Sequence, residues 1–134
     1  MQVDPATRKA VTNQPYIRRL TRLGCAAAED GKGLPFLNHV SHLIWSGTVD
    51  GWYDGDHLAR AAAKAGVDLA ALDRRVDKDV NKYEAIIAEN QNAHEASGHW
   101  GVPTMAFEGE PFFGQDRLEL LEWRLKQKGL RARS

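Results

Sequence analysis

Of the whole chain only residues 101–118, Gly-Val-Pro-Thr-Met-Ala-Phe-Glu-Gly-Glu-Pro-Phe-Phe-Gly-Gln-Asp-Arg-Leu, carry the alternation and turn chemistry of β structure. Any sheet this sequence forms by itself is therefore a single hairpin, which is marginal alone in water. Met105 and Phe107 alternate with Thr104, Ala106 and Glu108, the period of a half-buried strand. Glu108-Gly109-Glu110-Pro111 supplies a turn, Phe112 and Phe113 restart an extended segment, and Gly114 ends it where the chain bends into a helix. Asp116 is the expected N-cap of that helix, and Glu119 completes an Asp-x-x-Glu capping box. Leu118, Leu121 and Leu125 repeat along one helical face, and Lys126, Lys128 and Gly129 suit its C-terminal end.

Everything before the hairpin reads as helix. Tyr16, Leu20, Leu23 and Ala27 give one apolar side to a helix over 16–28, ended by Asp30-Gly31-Lys32-Gly33. Pro35 fits the first turn of a second helix, whose apolar face is Phe36, Leu37, Val40, Leu43 and Ile44 before Ser46-Gly47. These two segments form an expected antiparallel pair. A turn-rich Gly51-Trp52-Tyr53-Asp54-Gly55 leads to an alanine-rich helix over 56–65, stopped by Gly66. Asp68 is expected to cap a short helix through Leu72, and Asp77 to begin a longer one to about Ser97 with Val80, Tyr83, Ile87 and Asn90 along its face. The expected fold class is α/β, mostly helical: residues 1–98 a helical region, 99–130 a ββα unit, and 131–134 a tail.

With 134 residues the chain is one domain or part of one. Its 18 basic and 18 acidic residues cancel, which argues against nucleic acid or an anionic membrane surface as a main partner, since both need a basic excess. No apolar run approaches the span of a bilayer, and Met-Gln-Val-Asp-Pro lacks the basic and apolar regions of a signal peptide. The expected location is cytoplasmic. The single cysteine, Cys25, agrees with a reducing compartment, and without a Cys-x-x-Cys pair it is expected to be a small packed helix residue rather than a redox centre. His39 and His42 share a helix face and His57, His94 and His99 lie elsewhere, without the framework of a metal site. Trp45, Trp52 and Tyr53 are expected to anchor the core, the other reading being an aromatic pocket.

Gly-Val-Pro-Thr, a short hairpin and Phe-Phe-Gly-Gln-Asp-Arg-Leu opening a last helix together resemble the C-terminal end of DsbA-like thioredoxin-fold proteins. Within that group the ending Gly114-Gln115-Asp116-Arg117 is similar to 2-hydroxychromene-2-carboxylate isomerases and kappa-class glutathione transferases. The resemblance implies a cis bond at Val102-Pro103, with the Val102 main chain pairing to glutathione like an added strand. It further implies that Phe113, Gly114, Gln115 and Asp116 surround the γ-glutamyl group, with Asp116 facing its ammonium. Gln115 stands where Ser or Asn is commoner.

A thioredoxin fold begins with a βαβ unit of roughly 30 residues, and no strand–helix–strand pattern precedes Tyr16. The family's catalytic serine or cysteine belongs to that unit, so the chain is expected to be an incomplete thioredoxin-like fold, its C-terminal two-thirds, and inactive alone. What the resemblance then implies is a glutathione-dependent isomerase-like protein, a homodimer, acting in its complete form on a small aromatic-derived acid. A kappa-type glutathione transferase, or a non-catalytic helical module that binds a partner at the hairpin edge, are the alternatives.

Overall fold

The computed structural model describes residues 15–132. Five helices come first: α1 (Pro15–Glu29), α2 (Gly33–Trp45), α3 (His57–Lys64), α4 (Leu69–Lys78) and α5 (Val80–Ala96). A hairpin of β1 (Thr104–Phe107) and β2 (Glu110–Phe113), a 3-10 turn at Gln115–Arg117 and α6 (Leu118–Gln127) complete the order. Helix α1 begins at the first described residue, and the run of helices ahead of the hairpin is the one the apolar patterning predicts. The first 14 residues of the expected helical region, and the last two of the tail, lie outside the described residues. The chain divides into two compact units between Ile87 and Ala88, within α5.

In the first unit Leu23, Phe36, Val40, Leu58, Leu72, Val76 and Tyr83 bury around alanines 26, 27, 61, 62 and 65. The small side chains let helices approach closely. A Cβ on Gly33 would stand 3.0 Å from that of Ala28, so the α1–α2 turn has little room to grow. Helix α3 stops at Gly66 in the left-handed region (φ +72°), where Gly66 N–H bonds Ala63 C=O and Val67 N–H reaches back to Ala62 C=O. This two-bond ending recurs after α1 at Gly31 and after α6 at Gly129, satisfying carbonyls that a helix end otherwise strands.

Two helix limits differ from the sequence expectation. Asp68 does cap, accepting from Ala71 N–H at 3.1 Å, but α4 runs on to Lys78 because Leu72 and Val76 continue its buried stripe. The cap of α5 is then Asp79, which accepts from Lys82 N–H at 3.2 Å, while Asp77 lies inside α4. The expected core role of Trp45 and Tyr53 also fails: they are 65% and 37% exposed. Tyr16 instead stacks on Tyr53 with centroids 4.6 Å apart, and Trp52 meets both rings edge-on. Trp52 and Tyr53 sit on the connection between α2 and α3, where irregular backbone stays near water.

Polar ties close this unit. Tyr83 is buried, yet its hydroxyl donates to Glu29 Oε2 at 3.0 Å. Lys82 pairs with the other Glu29 oxygen at 2.6 Å, and these two partners hold the Glu29 carboxyl below its ordinary range. Arg75 forks onto Asp30 and also donates to Ala26 C=O at 2.7 Å, near the end of α1.

In the second unit the strands pair antiparallel, Thr104 opposite Phe113 and Phe107 opposite Glu110. The turn is tighter than the four residues the sequence suggests. Glu108 (φ +50°) and Gly109 (φ +81°) make it alone, both in the left-handed region that a two-residue hairpin turn requires. Glu110 and Pro111 thereby join β2, where Pro111 is exposed and its missing N–H is tolerated. Phe112 is the buried side chain of the strand. Glu110 and Glu108 hold α6 through ion pairs with Arg124 (2.7 Å) and Lys128 (2.6 Å).

Candidate functional site

Gly101 begins the site because nothing larger fits there. It is buried, and a Cβ on it would overlap the Phe113 ring. That ring also stacks on His99, centroids 4.0 Å apart and planes 15° from parallel. Both polar groups of Gly101 are satisfied: its N–H donates to His99 Nδ1 at 2.9 Å, and its C=O accepts from His94 Nε2 at 2.9 Å and from the Thr104 hydroxyl. Each imidazole therefore has an assigned tautomer when neutral, with the ring proton on Nε2. Two histidines, a threonine and a phenylalanine thus fix the peptide leading into the next residue.

That next residue is Val102, 79% exposed and joined to Pro103 by a cis peptide bond, as the family resemblance implies. Among the described residues no hydrogen bond reaches the Val102 N–H or C=O. Its main chain is consequently open to an extended ligand, in the manner of strand addition. Pro103 C=O, in contrast, accepts from Gly114 N–H at 2.9 Å. This single bond ties the Val-Pro segment to the 3-10 turn, so the two halves of the expected site do meet.

Gly114 has φ +98° and ψ 152°, an extended left-handed conformation that glycine alone adopts freely. A Cβ there would collide with Asp116 Oδ1, because the Asp116 carboxylate folds back over Gly114. The expected capping box is not made. Helix α6 starts at Leu118 with Arg117 at its N-cap position and no side-chain cap, since the tight turn places Asp116 one residue too early. Asp116 remains 74% exposed and lies 3.6 Å from Arg117 Nε. The Gln115 and Asp116 N–H groups have no acceptor among the described residues. The segment therefore offers an exposed carboxylate beside free amides, which suits a ligand carrying both an ammonium and a carboxylate.

Cys25 lies apart from this chemistry, on α1. It is half-buried and free, and burial, with Glu29 nearby, pushes its thiol up, the opposite of a reactive thiolate. Among the described residues no group of three His, Cys, Asp or Glu side chains is arranged to hold a metal ion, and no helix is long and apolar enough to cross a membrane. Sequence reasoning missed the bracing roles of His94, His99, Gly101 and Thr104. Their signal was adjacency: they flank the Val-Pro pair on both sides.

A family model described as a DSBA-like thioredoxin domain matches residues 8–126. No curated protein and no solved structure matches the chain.

Proposed function

This chain belongs to the DsbA-like thioredoxin-domain family, and from that premise we propose that residues 102–116 hold glutathione, in a glutathione-dependent isomerase of the 2-hydroxychromene-2-carboxylate type. The observation that carries the reading is the pairing of an unsatisfied Val102 main chain with the free amides of Gln115 and Asp116, tied together by Gly114 N–H to Pro103 C=O.

In this reading Val102 pairs its N–H and C=O with the peptide part of glutathione. Asp116 takes the γ-glutamyl ammonium, the Gln115 and Asp116 amides take its carboxylate, and Phe113, 41% exposed, gives an apolar wall over Gly101. His99 and His94 act through Gly101, keeping the Val102 peptide in place. Bound glutathione supplies the sulfur nucleophile that adds reversibly to a conjugated double bond of a small aromatic-derived acid. The chain's own sulfur is ill suited to that role, because burial and the nearby Glu29 push Cys25 toward the thiol. Kappa-type transfer would use the same glutathione contacts, so turnover of a chromene acid against an electrophilic halide by the complete enzyme separates the two.

Calorimetric titration tests the holding residues. An exposed, charge-assisted contact is worth up to about 1 kcal/mol, so Asp116→Asn should weaken glutathione binding roughly fivefold. Equal affinity in the variant, or no binding by either protein, would overturn the assignment.

A further inference from the structure

A surface cleft of about 220 Å³ lies in the first unit, between the helices α2 and α3, which pack together. Its polar lining is almost entirely nitrogen: His39 and His42 from α2, and His57, Arg60 and Lys64 from α3. On α3 these fall at i, i+3 and i+7, one stripe of the helix, and on α2 at i and i+3. Leu43, Val49 and Ala61 make its apolar part, and no carboxylate lines it. The chain as a whole carries equal numbers of acidic and basic residues, so this is local segregation of charge rather than a basic protein showing one of its faces.

We propose that this cleft binds a small organic oxyanion, a carboxylate or phosphate group attached to a short apolar body. Arg60 is already oriented. Its Nη2 lies 3.2 Å from Asp56 Oδ1 and 2.7 Å from His57 Nδ1. Since a guanidinium only donates, His57 Nδ1 accepts and its ring proton sits on Nε2, leaving a further donor on that ring. Asp56 offsets one cation, but Lys64 has no ion-pair partner among the described residues and Arg60 keeps donors beyond Nη2. The volume limits the ligand: drug-sized sites run to roughly 300–1,000 Å³, so the occupant is smaller than those. The apolar residues favour an acid with a compact hydrocarbon part over a bare inorganic ion. No residue of this cleft belongs to the segment 102–116, so the inference stands whether or not that segment takes glutathione.

The test is an amide and histidine side-chain NMR titration of the full chain with benzoate in one arm and inorganic phosphate in the other, at constant ionic strength. Saturable shifts confined to His39, His42, His57, Arg60 and Lys64 are expected, with benzoate saturating first. Phosphate saturating first would support the same oxyanion site for a phosphorylated ligand. Arg60→Gln with Lys64→Gln should weaken binding at least fivefold, whereas Arg74→Gln with Lys78→Gln, exposed on α4, should leave it unchanged. A second variant, His57→Gln, keeps the test open if the double variant unfolds. The proposal is overturned if neither anion saturates, if shifts scatter over all cationic residues, if the α4 control weakens binding equally, or if zinc rather than either anion gives the saturable histidine shifts.

Discussion

Gly101 and Glu29 show how much single positions decide. At Gly101 the missing side chain is what lets the Phe113 ring lie over the backbone and stack on His99. Gly101→Ala should therefore force the ring or the Val102 peptide to move, at about 1–3 kcal/mol as for other overpacked sites. Urea unfolding checks this, and an unchanged midpoint would speak against the close contact. Glu29 has a different lever. Its carboxyl is held below its ordinary range by Lys82 and the Tyr83 hydroxyl, so it contributes stability above the unfolded pKa near 4.5, lost as pH falls through the lower folded value. Thermal midpoints measured from pH 6 downward should fall below about pH 4.5, and Glu29→Gln should flatten that decline. At this scale the sequence disclosed the backbone roles of Pro103 and Gly114, because proline and glycine each have few conformational roles. It could not disclose that Gly101 is braced by two histidines, since that needs three segments brought together.

Helix caps are the most legible elements here, and also where local reasoning reaches its limit. The glycine stops after α1, α3 and α6 were readable because an L side chain is strained at the positive φ these endings need. Gly66→Ala isolates that effect. Nothing but the end of Lys32 approaches the added Cβ, at 3.6 Å, so the expected destabilisation of about 1–2 kcal/mol is conformational. Denaturant unfolding should show it with an unchanged m-value, and a neutral result would contradict the ending described. The N-termini were harder to read. Asp77, Asp79 and Asp116 all satisfy the composition of a cap, and only the course of the backbone selects Asp79 and passes over Asp116. The hairpin shows the same limit: strand alternation was visible, while the choice of Glu108 and Gly109 as the whole turn depended on two positive φ angles.

For the whole molecule, the order of elements was legible because apolar spacing changes from the helical period to two at a single place in the chain. The run of helices ahead of a ββα end followed from that order, while the family followed from the residues around Val102-Pro103 and Gly114-Gln115-Asp116. The aromatic group of Tyr16, Trp52 and Tyr53 did not, since its rings come from α1 and from a loop some 36 residues later. The assignment of segment 102–116 rests on open main-chain groups held in register by the bond from Gly114 to Pro103. Its most direct test is an amide NMR titration with glutathione, with cysteinylglycine, which lacks the γ-glutamyl group, as the comparison. The account predicts saturable shifts at Val102, Gln115 and Asp116 with glutathione, and markedly weaker ones with the dipeptide. Shifts absent from these amides, or equal for both ligands, would contradict it.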